Sequence, residues 1–343
     1  LQGLSLGWLG LIFDQAFIAD ETLGADELAA LEMSPYDQVI EAAVTKLEEA
    51  ANIFAGNPAT SHTAINGLNY DNVEAAEFAR AYAAKILAYK ARTGAETASN
   101  DWARILTLAN GGPNADISPV GDGGFWWTRI LIQGQFPLWS RVSQRVINMM
   151  EGGSGGATSE DPNHPTAPYP WPDGTSSLPE ITNPVDQRIT DYYQYNTGVQ
   201  FQSSRGYYFF SSYNFYKYPG YLAAFLGPMP HLTLAEQNMI KAEALIRTGG
   251  DKNQAATYIN ATRVNNGGLA PVSGADSDDV LLDAIYYERL VEFSWDGALN
   301  GWFHRRMSPN DKFQLQPGTP RQMPVPAQEL EILGLDVYTF GGV

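Results

Sequence analysis

Residues 232–268, LTLAEQNMIKAEALIRTGGDKNQAATYINATRVNNGG, decide the fold that the sequence predicts. Apolar residues recur every three to four positions on both sides of a Gly-Gly-Asp turn, a pattern that predicts two helices joined by a tight connection. Thr233 and Glu236 have the spacing of a capping box, in which the Thr233 hydroxyl accepts the Glu236 amide and the Glu236 side chain reaches back. We predict that Asp251 caps the second helix and that this helix stops at Gly267.

This helical hairpin spans about one tetratricopeptide period, which is ~34 residues. Residues 35–94 form a related unit with a longer connector, and a further helix is expected over residues 279–297. Such hairpins bury their apolar faces by stacking on one another. We therefore predict a mainly α fold, in which tetratricopeptide-like helical hairpins form a scaffold around an irregular, aromatic-rich middle that contains short strands.

The N-terminal helices are predicted from their apolar stripes. Ser34 is the expected N-cap of SPYDQVIEAAVTKLEEAANIF, with Pro35 as the first helical residue. The helix DNVEAAEFARAYAAKILAYKART should end at Gly94, and the acidic run 276–279 should cap the helix that ends at Gly297. The predicted buried stripes are Val39, Ala43, Leu47, Ala50 and Ala51 on the first helix, and Ala75, Ala79 and Ala83 on the second.

The middle of the chain has a different composition. Residues 151–184 are rich in Gly, Ser and Pro, which excludes a long helix or a central strand there. Residues 191–221, DYYQYNTGVQFQSSRGYYFFSSYNFYKYPGY, contain GYYFF and YNFYKY, whose composition favours short strands or a hairpin. We divide a single domain, 1–343, into an N-terminal helical part (1–110), an irregular aromatic-rich insert (111–230) and C-terminal tetratricopeptide-like helices with a tail (231–343).

Charge and composition exclude several classes of function. The 343 residues carry a formal net charge of −17, which argues against nucleic-acid binding and against a polybasic contact with anionic lipid. The absence of cysteine excludes disulfides, thiolate metal sites and a cysteine nucleophile. No run approaches the ~20 apolar residues of a transmembrane span. The N-terminal LSLGWLGLIF lacks the marks of a signal peptide, and the abrupt start suggests that an upstream segment is missing or was processed away.

Catalytic and metal-binding motifs are not found in the sequence. His62, His164, His231 and His304 are far apart and show no metal-ligand spacing. The acidic run 276–279 lacks the glycine and glutamate of a calcium loop. A glycosidase built on two carboxylates stays open, because their separation is set in three dimensions. We predict a protein that is not an enzyme and that holds no metal or cofactor.

Aromatic residues beside glycine or polar residues are the candidate ligand-binding groups. In ANGGPNADISPVGDGGFWWTRI, residues 109–130, adjacent tryptophans follow a glycine-rich loop. Neighbouring residues on a strand point to opposite faces, so one of the two would be buried there. Aromatic faces can stack on sugar rings while amides and carboxylates bond the hydroxyls, although core filling is the alternative for each ring. The candidates are Trp126, Trp127, Trp171, Tyr192, Tyr193, Tyr207 and Tyr208.

The order of motifs along the whole chain resembles the SusD/RagB family. The motifs are L-A-E at 234–236, A-E-A-L at 242–245, Gly250-Asp251, I-N-x-x-R at 259–263, E-R-x-x-E at 288–292, Trp302-Phe303 before Arg305-Arg306, PVPAQEL at 324–330 and, earlier, PVDQRITDYY at 184–193. His304 stands where the family usually has Asp, and the family's lipidated cysteine is absent. We expect Glu288, Arg289 and Glu292 to bond neighbouring segments, including the HRR stretch at 304–306, in a structural role.

The resemblance implies a surface-exposed glycan-binding or nutrient-binding lipoprotein of the outer membrane in Bacteroidota. Such a protein captures oligosaccharide for a TonB-dependent, SusC-like transporter, with its tetratricopeptide units facing the transporter and its aromatic middle facing outward. Tyrosine-rich segments suit protein interfaces equally well. The alternative is therefore a self-assembling extracellular structural protein, a filament or surface array of identical copies, on the same scaffold. A tetratricopeptide adaptor for peptides is a third reading.

Overall fold

The computed structural model describes residues 1–57, 60–136, 140–151, 180–196, 211–294, 296, 303–306 and 320–340. The helices are α1 (Gln2–Ile12), α2 (Ala25–Ala29), α3 (Tyr36–Ala55), α4 (Asn72–Tyr89), α5 (Gly94–Ala98), α6 (Trp102–Asn110), α7 (Arg129–Gln135), α8 (Gln144–Glu151), α9 (Arg188–Asp191), α10 (Pro219–Ala224), α11 (Leu234–Arg247), α12 (Lys252–Arg263), α13 (Asp278–Val291) and α14 (Ala327–Ile332). The strands are β1 (Gln15–Ala16), β2 (Ser34–Pro35), β3 (Ser61–His62), β4 (Tyr70–Asp71), β5 (Val120–Asp122), β6 (Tyr193–Tyr195), β7 (Tyr213–Phe215) and β8 (Leu226–Pro228). They pair antiparallel as β1–β2, β3–β4, β5–β8 and β6–β7. The prediction of a mainly α fold with short strands is confirmed.

Helices α3 and α4 form the N-terminal hairpin, and α1 packs across both. The predicted stripes of α3 and α4 are buried, apart from Ala50, which is partly exposed. Three glycines of α1 make its close approach possible. A Cβ at Gly7 would lie 2.4 Å from Ile86 Cδ1, and one at Gly3 would lie 2.8 Å from the Ala43 carbonyl oxygen. The backbone of α1 therefore contacts its neighbours at positions where a larger side chain does not fit.

The C-terminal helices begin at the residues that the sequence predicts. The Thr233 hydroxyl accepts the Glu236 amide at 3.1 Å, and the Asp251 carboxylate accepts the Asn253 amide at 2.9 Å. Ser277, inside the acidic run, caps α13. Side-chain acceptors at these positions satisfy amides that have no partner within the helix.

The second half of the predicted capping box is wrong. The Glu236 carboxylate does not reach back to Thr233 but crosses to α4, where Lys85 Nζ lies 3.0 Å from Oε1 and the Tyr89 hydroxyl donates to it. Glu236 is 1% exposed, so an opposite charge and a donor in the neighbouring helix stabilise its carboxylate better than one local amide would.

Some predicted helix boundaries also differ from the structure. Ser34 and Pro35 pair with β1 as a short strand, and α3 starts only at Tyr36. Helix α4 ends at Tyr89 rather than at Gly94, which instead begins α5. The last carbonyls of α4 accept hydrogen bonds from distant guanidinium groups, from Arg306 to Ala88 at 2.8 Å and from Arg305 to Tyr89 at 3.1 Å.

Helices α12 and α13 both end before the glycines predicted to stop them. Helix α12 ends at Arg263 rather than at Gly267, and a turn carries the chain onward. Helix α13 ends at Val291. Gly297, the predicted stop of that helix, lies outside the described residues.

The segment around Phe303 joins the N-terminal helices to the C-terminal ones. The Phe303 ring lies between two guanidinium groups, with Arg289 Cζ 3.9 Å and Arg306 Cζ 3.7 Å from its centroid. Arg306 also forms an ion pair of 2.7 Å with Glu243 of α11. Arg92 donates to the Gly10 carbonyl at 3.0 Å and so satisfies an acceptor near the end of α1.

The middle of the chain contains the predicted short strands in part. YNF at 213–215 forms β7, paired with β6, whereas GYYFF at 206–210 lies outside the described residues. The second pair, β5 with β8, joins residues that are more than a hundred positions apart in the chain and supports the glycine-rich loop that follows β5. Among the described helices, none is long and apolar enough to cross a membrane.

Candidate ligand-binding site

A glycine-rich loop between β5 and α7 presents aromatic side chains to solvent. The close pairing of β5 with β8 requires glycine at position 121, because a Cβ there would lie 2.5 Å from the Phe225 carbonyl oxygen and 2.7 Å from the Tyr221 ring. Gly123 has φ = 75°, a conformation that favours glycine. These two glycines let the chain turn sharply after β5.

Asp122 fixes the conformation of this loop. Its Oδ1 atom accepts the amide of Gly124 at 2.8 Å and the amide of Trp126 at 2.9 Å. Its own amide donates to the Trp126 carbonyl at 3.1 Å. The backbone hydrogen bonds from Gly124 and Trp126 lower the pKa of the Asp122 carboxyl, so the group remains ionised and continues to accept them.

This loop carries three aromatic side chains, one of which lies close to Phe225, the residue that precedes β8. We call Phe125, Trp126, Trp127 and Phe225 the aromatic platform. Phe125 is 87% exposed, Trp127 is 46% exposed and Phe225 is 40% exposed, while Trp126 is partly buried. The Phe125 and Trp126 ring centroids are 6.2 Å apart, and those of Trp127 and Phe225 are 6.5 Å apart. Exposed aromatic rings clustered in this way are typical of ligand-binding surfaces.

Tyr221 anchors both sides of the platform. Its ring is 2% exposed, and its hydroxyl accepts the Thr128 amide at 2.5 Å, directly after Trp127. Its carbonyl accepts the Phe225 amide at 2.7 Å. Phe225 has φ = 57°, a left-handed conformation that is uncommon for a bulky residue and that aims its ring towards Trp127. The platform is therefore held in place before any ligand arrives.

The structure places the predicted ligand-binding residues in two separate environments. Trp126 and Trp127 lie in the loop after β5 rather than on a strand, so both are partly exposed instead of one being buried. Trp171, Tyr207 and Tyr208 lie outside the described residues. Phe125 and Phe225 were missed, although the glycines before Phe125 were a usable signal.

Tyr192 and Tyr193 are engaged within the protein. Tyr193 is 4% exposed, and its hydroxyl lies 2.9 Å from Ser294 Oγ. The Tyr192 hydroxyl donates to Glu292 at 2.9 Å, and Lys217 Nζ lies 4.6 Å from the centroid of its ring. These contacts favour a structural role for this tyrosine pair. Among the predicted residues that the structure describes, Trp126 and Trp127 are the two that lie together at the surface.

Comparison with solved structures places the molecule among known folds. An outer-membrane protein from Bacteroides vulgatus ATCC 8482, whose description proposes a role in nutrient binding, matches with a TM-score of 0.59 at 14% identity, over 97% of this chain and 78% of that one. A SusD-like carbohydrate-binding protein from Bacteroides fragilis NCTC 9343 matches with a TM-score of 0.56 at 15% identity, over 88% of this chain and 64% of that one. The surface glycan-binding protein A of Bacteroides uniformis matches with a TM-score of 0.53 at 12% identity, over 96% of this chain and 74% of that one.

The chain has the SusD-like fold. No protein-family model matches the sequence, and no curated protein matches it. The chain spans about two thirds of the length of two Bacteroides fragilis SusD-like proteins, 67% of one and 64% of the other.

Within this SusD-like fold, the E-R-x-x-E motif of α13 belongs to a buried ion network. Arg188 Nη2 lies 2.7 Å from Asp186, and its Nη1 lies 2.6 Å from Glu288 and 3.1 Å from Glu292. Lys217 Nζ lies 3.3 Å from Glu292 and continues the network. Although burial alone would lower the pKa of Arg188, Glu288 and Asp186 raise it well above its usual value.

The contacts of this motif agree with the expectation that it bonds neighbouring segments. Both glutamates bond Arg188, which comes from the PVDQRITDYY segment, and Arg289 contacts the Phe303 ring, directly before the HRR stretch. The structural role expected for the three residues agrees with their burial. Among the described residues, no group of histidine and acidic side chains has the arrangement of a metal site.

Proposed function

We propose that this protein binds oligosaccharide or a related nutrient at the bacterial cell surface and delivers it to a TonB-dependent transporter in the outer membrane. The aromatic platform carries the proposal. Proteins that share the SusD-like fold with this chain are named as carbohydrate-binding and surface glycan-binding proteins. The fold and the exposed rings therefore point to the same kind of ligand.

The geometry of the platform suits the recognition of sugar rings. Phe125 and Trp127 present flat apolar faces, and the bonds made by Asp122 and Tyr221 hold their loop in one conformation. A fixed loop loses little conformational entropy when a ligand binds. Covering about 50 Å² of apolar surface on each ring gains about 1 kcal/mol per ring. Three exposed rings therefore support weak binding, with a dissociation constant of about a few millimolar.

A screen of glycans against the wild type and single alanine variants tests this site. We expect Trp127→Ala to weaken binding of any retained oligosaccharide by about fivefold to tenfold, with Phe125→Ala giving a smaller loss. Ile332→Ala is the matched control, because Ile332 is a 72% exposed apolar residue on α14, outside the platform. Circular dichroism and thermal melting confirm that each variant folds.

Two results would contradict the proposal in different ways. Retention of an oligosaccharide that is unchanged by Trp127→Ala, Phe125→Ala and the double variant would show that the ligand site lies elsewhere. If folded wild-type protein, shown by cooperative melting, binds no glycan in a broad panel of neutral and charged glycans, saccharide binding is refuted as the function.

The transporter partnership needs its own experiment. Affinity purification of the tagged chain from solubilised outer membranes of its source organism should recover a TonB-dependent transporter in stoichiometric amount. Protease shaving of intact cells should remove the tagged chain if it faces outward. Recovery of the chain alone would refute the transporter partnership. Protection of the chain from protease in intact cells would refute its location on the cell surface.

The proposal is binding without catalysis. The buried acidic side chains of the ion network form ion pairs with Arg188 and Lys217, which gives them a structural role. Incubation of any identified glycan with the protein, followed by product analysis, should return the glycan intact.

A further inference from the structure

Arg129 places a positive charge at the edge of the aromatic platform. Its side chain is exposed at the first position of α7, and its Cζ lies 5.8 Å from the centroid of the Trp127 ring. In the part of the chain that the structure describes, this ring contact is the interaction that Arg129 makes, with neither a hydrogen bond nor an ion pair at its guanidinium. The donors of this side chain therefore face solvent beside an exposed indole.

This arrangement contrasts with other arginines of the molecule. The chain has a net charge of −17, and two of its buried arginines are matched by carboxylates, Arg188 by Glu288 and Arg306 by Glu243, while buried Arg305 bonds backbone carbonyls. The acidic group of the loop, Asp122, accepts two loop amides through Oδ1 and forms no ion pair with Arg129. A guanidinium that has no acidic partner among the described residues, and that lies beside an exposed aromatic surface, can bind an anion supplied by the ligand.

We infer that the platform takes an acidic oligosaccharide, in which a uronate carboxylate binds the Arg129 guanidinium while the sugar ring stacks on Trp127. This inference rests on the proposed function. A guanidinium presents its donors in a planar fork that matches a carboxylate, and it keeps this ability while it lies near an aromatic face. A neutral sugar has no group that interacts equally strongly with this positive charge. Arg129 therefore favours acidic over neutral glycans, while the aromatic rings bind both.

Two probes that share one sugar backbone but differ in charge test the preference. One is an oligogalacturonide, and the other is the same oligosaccharide with its carboxylates methyl-esterified. Binding of each is measured by titration calorimetry at low salt and again at 0.5 M salt. We expect the wild type to bind the acidic probe about tenfold more tightly, the size expected for one hydrogen-bonded charge. High salt should reduce most of this difference, because the pair is exposed.

Three variants separate the charge from the stacking surface. Arg129→Gln should lose the preference for the acidic probe and leave binding of the ester unchanged. Trp127→Ala should weaken both probes. Lys252→Gln removes the same charge from α12, outside the platform, and should preserve the tenfold preference.

The outcomes distinguish this inference from the proposed function. Equal binding of the two probes by the wild type, or a preference that survives Arg129→Gln, overturns the inference and leaves glycan binding intact. Failure of the wild type to bind either probe also overturns it, while retention of neutral glycans that is lost in Trp127→Ala still supports the proposed function. Absence of binding to the two probes and to neutral glycans overturns the inference and the proposed function together.

Discussion

Replacing Arg188 by methionine should strongly destabilise the fold. The side chain is 0% exposed and lies within 3.1 Å of Asp186, Glu288 and Glu292, of which the first two are also fully buried. Removing the guanidinium takes this cation away from Asp186 and Glu288 in the interior, whereas Glu292 keeps Lys217. Breaking a buried ion pair in this way costs about 3–5 kcal/mol. At roughly 2 °C per kcal/mol, the melting temperature should fall by about 6–10 °C.

The pH dependence gives this prediction a second, independent readout. Burial raises the pKa of Glu288 even in the wild type, and loss of Arg188 raises it further. A carboxyl whose folded pKa lies above its unfolded value contributes stability at low pH and loses that contribution as pH rises. The deficit of Arg188→Met relative to the wild type should therefore be largest near pH 8 and smaller near pH 5.

Urea unfolding followed by circular dichroism, at pH 5 and pH 8, measures both effects. Arg188→Lys keeps the charge but loses the planar fork, so it should be intermediate. Arg263→Met on α12 is the matched control, because among the described residues that partly exposed arginine bonds the Ala270 carbonyl and otherwise lies 6.0 Å from the centroid of the Tyr287 ring. It should change the unfolding free energy by less than about 1 kcal/mol. A deficit for Arg188→Met below about 1 kcal/mol, or one equal at both pH values, would refute the reasoning.

Three further outcomes are expected. Gly7→Ala should lower the free energy of unfolding by about 1–3 kcal/mol, because the new Cβ would lie 2.4 Å from Ile86 Cδ1. Gly220→Ala is the control, since no atom lies within 4 Å of its Cβ, and it should leave the melting temperature nearly unchanged. Equal effects of the two substitutions would disprove the close packing of α1. Asp251→Ala should remove the cap of α12 and cost about 1 kcal/mol in urea unfolding, and an unchanged midpoint would show that the cap is dispensable. Burial, with a smaller contribution from Lys85, lowers the pKa of His231 to about 4, so its neutral form stabilises the fold above pH ~6.5 and this contribution is lost as pH falls towards 4. His231→Gln should flatten that part of the stability profile, and a profile that stays parallel to the wild type would contradict the assignment.

The buried positions of the helices were accessible from the sequence because they depend on local spacing. Caps at Thr233, Asp251 and Ser277 act on amides two or three residues away, so their residue type and position are enough to predict them. The alanine face of α4 follows from helical periodicity alone. Ends of helices were less predictable, since the end of α4 depends on arginines that come from the other end of the chain.

The candidate site was predictable only in part for the same reason. The glycine-rich stretch and the adjacent tryptophans marked the loop after β5, because exposed aromatic residues beside glycines already stand out in a sequence. Phe225 joins Trp127 only through the pairing of β5 with β8. Which tyrosines are internal also depends on remote partners, as for Tyr192, whose hydroxyl bonds Glu292 a hundred residues away.

The sequence by itself thus determined the helical scaffold, its caps and its buried faces, since hydrogen bonds and apolar periodicity within a few residues specify them. Only the tertiary structure decided the partners of the buried charges and the composition of the aromatic platform. Arg188 could pair with any of many carboxylates in an acidic chain, and only packing brings α13 to it. Burial makes such pairs depend on three-dimensional proximity, because a charge removed from water is stable only where a partner is already in place.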